Sequence, residues 1–263
     1  MKAGQRARGV AWATIAMLAL SCATAGPGPR PVPPELEARA QERWQRHQRR
    51  AGAISSLAAR ARTTIEGATG ASFSRQRLWL ERPAQMRLEV DGPFGQPALV
   101  VATDGTHVDV YRRGVPGIAH DPVHDGTLFD LVGIPLSPKA AVAALLAAPD
   151  VGRGPPRAIA WDGASGDVEL GFPTYTLWLD AEGRLRRLRW HPGGHDWFTA
   201  RYEGWVRVGD AAFPEEISLA FPTTGGSATL RLRDVVVNPQ PEPARFRIEV
   251  PEPLSSAGGE SGG

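Results

Sequence analysis

Only one cysteine, Cys22, occurs in the 263-residue chain, so no disulfide can form within it. An excess of one charge is also lacking. The 30 basic and 28 acidic residues are interspersed and form no positive stripe that could track a phosphate backbone, which argues against nucleic acid as a partner. There is no Gly-x-x-x-x-Gly-Lys-Ser/Thr loop to cradle nucleotide phosphates, and no Gly-x-Ser-x-Gly turn to present a hydrolytic nucleophile. The apolar stretch over residues 10–20 falls short of the roughly 20 residues a membrane-crossing helix needs. These absences predict a protein that is not an enzyme and that uses no cofactor and no metal.

The first 22 residues are informative. Lys2, Arg6 and Arg8 precede the apolar run, which ends at Ser21 and Cys22, as in an export signal. Removal of those three cations leaves 27 basic against 28 acidic residues, so the mature chain is expected to be nearly neutral. The tetrapeptide Ala19-Leu20-Ser21-Cys22 resembles the bacterial lipobox, with a leucine at position 18 one place further back than usual. That resemblance implies cleavage before Cys22 and acylation of its sulfur and of the new amino terminus. Several acyl chains anchor stably where one holds only marginally. Ala23 follows the cysteine in place of the aspartate that retains such proteins at the inner membrane, so the resemblance implies the periplasm-facing side of the outer membrane. The expected organisation is a signal peptide over residues 1–21, a lipidated Gly/Pro-rich tether over 22–34, one folded domain over 35–254 and a disordered Gly/Ser-rich tail over 255–263.

Residues 35–62 read as one helix or two, with Leu36, Ala40, Trp44, Ile54 and Leu57 apolar among many charges. Gly52 is a candidate break, and Arg46, Arg49 and Arg50 read as a solvated face rather than a lipid contact. From residue 63 onward, strand-length runs alternate with turn signals. They are interrupted by a helical stretch around residues 128–132 and 138–148. About ten to twelve strands in serial hairpins predict a mainly β fold with some α: a strongly curved antiparallel sheet, or half-barrel, with an N-terminal helix and a helical plug on its concave face. His191, His195 and Asp196 flank a Pro-Gly-Gly hairpin turn, and His120, Asp121, His124 and Asp125 share a loop. Both groups read as polar turns before they read as metal sites. Asp104-Gly105-Thr106 reads as a turn between strands.

The middle of the chain resembles the LolA/LolB-like lipoprotein family, and within it the outer-membrane lipoprotein receptor and insertion factor LolB. The resemblance spans roughly residues 54–237. It rests on Arg87-Leu88-Glu89-Val90-Asp91-Gly92-Pro93-Phe94-Gly95, on Leu131-Val132-Gly133-Ile134-Pro135-Leu136, and on a late hairpin over residues 190–205. It implies a monomer that accepts lipid-modified lipoproteins from a LolA-like periplasmic carrier, holds their acyl chains in an apolar cavity and releases them into outer-membrane lipid. The loop Pro93, Phe94 and Gly95 would touch the membrane, with Phe94 where the family carries an exposed leucine. Trp79, Leu88, Val90, Leu99, Leu131, Ile134, Leu145, Trp178 and Trp190 are the expected cavity lining.

Overall fold

The computed structural model describes residues 33–67, 70–152 and 154–248. Helix α1 (Pro34–Ala53) is followed by β1 (Ser56–Gly67), β2 (Gly70–Glu81), β3 (Gln85–Asp91), β4 (Pro97–Thr103), β5 (His107–Arg112) and β6 (Ala119–Pro122). Helices α2 (Thr127–Val132) and α3 (Pro138–Leu145) interrupt the strands. The chain then resumes with β7 (Ala158–Trp161), β8 (Val168–Gly171), β9 (Tyr175–Leu179), β10 (Leu185–Trp190), β11 (Phe198–Val208), β12 (Ala211–Phe221) and β13 (Gly226–Val237).

All thirteen strands form one sheet in the order β6-β5-β4-β3-β2-β1-β13-β12-β11-β10-β9-β8-β7. It is a curved, open antiparallel meander. Consecutive strands pair except β6 and β7, which are the two edges, and the first and last strands join the two wings at the centre. The α2–α3 segment carries the chain from one sheet edge to the other. The thirteenth strand, beyond the expected ten to twelve, is β6. All four of its residues are exposed, so it carries no alternation to read.

The N-terminal helix is shorter than expected. It starts with Pro34 and the acidic Glu35 and Glu37 in its first turn, which suits the positive end of the helix dipole, and it stops at the extended Ile54. Residues 56–62 belong to β1. Leu57, Ala59 and Ala61 are buried while Arg60 and Arg62 are exposed, a period of two, and the strand is paired with β2 on one side and β13 on the other. Alanine and arginine favour helices, but pairing on both edges overrides so weak a preference. Asn238, in a left-handed conformation, fixes the junction. Its side chain accepts from Ser55 N at 2.8 Å and donates to Ala53 O at 2.7 Å.

Of the arginines expected on a solvated face, Arg49 is exposed, whereas Arg46 and Arg50 are docked, together with Arg43. Arg43 donates to Gly166 O at 2.8 Å, Arg46 to Ala181 O at 2.9 Å and Arg50 to Gly183 O at 2.7 Å, which ties the helix to the β7–β8 and β9–β10 turns. Gly183 allows the close approach: its φ is +71°, and a Cβ there would stand 2.6 Å from Arg43 O. The β2–β3, β4–β5 and β11–β12 connections share that end of the sheet, as the antiparallel registers require. The β1–β2, β3–β4, β10–β11 and β12–β13 connections lie at the opposite end. On the outer face, the short turn Pro243–Phe246 packs over β3 and β4 with Phe246 buried, and Arg87 donates to Arg245 O and Arg247 O.

Candidate functional site

The inner faces of β1 to β4, β12 and β13 are roofed by α2 and α3, and between them lies a cavity of about 270 Å³. Its volume is near the lower end of the roughly 300–1,000 Å³ typical of small-ligand sites. Leu88, Val90 and Leu99 contribute from the strands, and Leu131, Ile134 and Leu145 from the helical segment. Period two explains the strand contributions, because Met86, Leu88 and Val90 share one face of β3. Leu78, Met86, Leu219 and Leu230 add to the apolar surface, and among the described residues no charged side chain lines it.

The cavity opens toward the end of the sheet away from α1. Leu78 and Met86 are buried, whereas Ile65, Val90 and Leu99, nearer the β1–β2 and β3–β4 connections, are half-exposed. Three polar residues, Thr63, Ser74 and Gln76, lie in the lining on this side. Their polarity hides them in the sequence, because polar residues near a hairpin read as wet. The signal that marks them is parity: Gln76 is in step with Leu78 and Leu80 along β2, and Thr63 with Ala61 and Ala59 along β1.

The three expected tryptophans lie elsewhere. Trp79 alternates with the inward Leu78 and Leu80 and so faces outward, with the Arg245 guanidinium 5.0 Å from its ring. Trp178 sits between the fully buried Leu177 and Leu179 on the outer face, covered by Arg187 at 3.6 Å, with its indole N–H donating to Glu169 at 3.0 Å. Trp190 packs in the opposite wing with Trp197, Phe198 and Tyr175, at ring separations of 5.8, 5.7 and 6.3 Å. Aromatic size draws attention to these positions, but side-chain parity and wing decide what lines the cavity.

The Pro93–Gly95 segment forms a single helical turn at the open end, closed by Gly92 N donating to Gln96 O at 2.9 Å, with Gly95 at φ +78°. The Phe94 side chain and Cys22 lie outside the described residues. The roof is held by Tyr202, whose fully buried hydroxyl donates to Ala144 O at 2.9 Å. Burial pushes its pKa above the usual phenol range.

The histidines are dispersed. His191 Nε2 is 3.0 Å from Thr176 Oγ1, and His195 Nδ1 is 3.2 Å from Gly193 O. His120 Nδ1 is 2.6 Å from Asp109 Oδ1 and stacks on His107, while His124 lies 3.5 Å from Asp130. Among the described residues, no three His, Cys, Asp or Glu come together as a metal site. His47, on the buried face of α1 and stacked on Trp44, has its pKa pushed down to about 4, first by burial and then by the nearby Arg50 cation.

No protein-family model matches the chain, and no curated protein matches it in sequence. Solved structures do match in fold. A putative outer membrane lipoprotein-sorting protein domain from Vibrio parahaemolyticus is 14% identical with a TM-score of 0.55, over 80% of this chain and 94% of that one. A LolA superfamily protein from Nitrosomonas europaea is 11% identical with a TM-score of 0.54, over 80% and 97%. A DUF1329 family protein from Desulfovibrio piger is 8% identical with a TM-score of 0.54, over 79% and 96%. At these identities the likeness is one of fold.

Proposed function

We propose that this protein is an outer-membrane lipoprotein, anchored through Cys22, that accepts acyl chains of lipid-modified proteins from a LolA-like carrier and passes them into the membrane. The observation that carries this reading is the uncharged, largely apolar cavity opening at the same end of the sheet as the Pro93–Gly95 turn. An acyl chain of about fifteen methylenes gains roughly 12 kcal/mol on leaving water, at about 0.8 kcal/mol each, so it must travel between apolar sites. A cavity slightly poorer than the bilayer makes release downhill without nucleotide hydrolysis. A loop reaching into lipid beside the mouth shortens the path, and Phe94 is the residue assigned to that contact.

The volume is less than that of one complete palmitoyl chain, so housing a whole chain, and still more a triacylated cargo, requires α2 and α3 to move outward. The same observation supports a second reading, in which the chain binds another single-chain hydrophobic ligand or serves as a non-catalytic assembly lipoprotein of the envelope. The full-length chain in proteoliposomes, mixed with a carrier loaded with triacylated lipoprotein, distinguishes the two. Cargo should move to the liposomes, and Phe94→Glu should still accept cargo but release it at least about tenfold more slowly. Absence of transfer, where an authentic receptor works, would sink the first reading in favour of the second.

A further inference from the structure

The acyl cavity is apolar except on one side. Thr63 is 5% exposed and Gln76 is 7% exposed, and with Ser74 they meet the cavity from the inner faces of β1 and β2. Thr63 and Ser74 are direct cross-strand partners, and Gln76 is two residues deeper along β2. The Gln76 amide donates to Ser74 Oγ at 2.8 Å, so Ser74 acts there as acceptor and keeps its own O–H free. Thr63 Oγ1 is buried with no hydrogen-bond partner among the described residues. A buried hydroxyl without a partner is destabilising, and valine would fill the same space in an apolar wall without that cost.

On the strength of the acyl-chain reading, we infer that Thr63, Ser74 and Gln76 form a polar subsite for the uncharged acyl carbonyl, ester or amide, of a lipid whose chain lies in the cavity. The chemistry is set by what the three groups offer. Thr63 O–H, Ser74 O–H and the second N–H of the Gln76 amide are donors, and a carbonyl oxygen accepts from them. Among the described residues the lining contains no arginine, lysine or histidine, so an ionised carboxylate or phosphate would be buried there without a counter-charge. Position agrees with this chemistry. The subsite lies toward the open end, with Leu78, Met86 and Leu145 deeper, so the tail runs inward and whatever the carbonyl is attached to stays outside.

Native mass spectrometry of the full chain, released from detergent, tests this with three probes of equal chain length: 1-palmitoylglycerol, palmitate at pH 8 and hexadecane. The glycerol ester should bind about tenfold or more tightly than either competitor. In the Thr63→Val/Gln76→Leu variant that preference over hexadecane should vanish while hexadecane binding persists, and Thr63→Ser alone, which keeps the hydroxyl, should keep part of it. Palmitate binding as well as the ester, or a variant with unchanged preference, would overturn the subsite and leave the acyl cavity standing. Binding of none of the three would overturn the cavity reading itself, and the subsite with it.

Discussion

The two wings of the sheet meet at β1 and β13 and are filled differently. In the wing of β7 to β12, Phe198, Tyr202, Phe213 and Phe221 are almost wholly buried, and Phe198 and Phe221 pack with ring centroids 6.5 Å apart. In the wing of β2 to β5, the inner positions are Leu78, Met86, Leu88, Val101, Val108 and Val110, and there the cavity remains. Aromatic rings close the space between sheet and helices, whereas aliphatic side chains under a two-helix roof leave it partly open. The same fold therefore holds a packed support and a receptacle side by side.

Truncation of one buried side chain in each wing should separate the two. Phe213→Ala should lower unfolding free energy by about 3–5 kcal/mol in chemical denaturation, as expected for a buried aromatic. Leu88→Ala, beside existing space, should cost nearer about 2 kcal/mol, the low end for such changes. Equal costs would mean that the cavity wall is as tightly packed as the other wing.

Acid should act first at the α1 end of the sheet. His47 on the buried face of α1 has a folded pKa of about 4 against an ordinary 6.5, so as pH falls the unfolded chain takes up the proton first. Its contribution is intact above about pH 6.5 and is lost as pH falls toward 4, amounting to about 3 kcal/mol over that window. Denaturation midpoints measured at pH 7 and pH 4.5 should converge in His47→Gln relative to the native chain. A parallel fall in both proteins would contradict the assignment. Tyr202→Phe removes one of the two donors to Ala144 O, which keeps its bond from Ala147 N, and should cost about 1 kcal/mol by the same measurement. The smallest effect on stability is expected from Val101→Leu, a cavity-filling change of about 1 kcal/mol or less in either direction, read as a melting temperature. That variant should nevertheless weaken acyl binding severalfold.

Much of this architecture is legible in the sequence. Alternation and turn signals expose twelve of the strand runs and the helical interruption, and period two along β3 and β4 marks Leu88, Val90 and Leu99 as neighbours on one face. What stays hidden is hidden for physical reasons. Residues 56–62 carry helix-favouring alanine and arginine, and only their long-range pairing with β2 and β13 makes them a strand. β6 is an exposed edge with no apolar rhythm. Trp79 and Trp178 are large and apolar, yet each occupies the outward step of its strand, where an arginine covers it. Thr63 and Gln76 show the converse, polar residues on the inward step.

On the proposed reading, an acyl chain occupies the space between the β2–β4 wing and the α2–α3 roof. Photo-crosslinking of the full chain with a monoacylglycerol carrying a diazirine at the chain terminus, followed by peptide mapping, tests it most directly. Labels concentrated on the peptides containing Met86, Leu88 and Leu145 are the predicted result. Labels spread over the outer face around Trp79 and Trp178, with no enrichment at those inner positions, would contradict it.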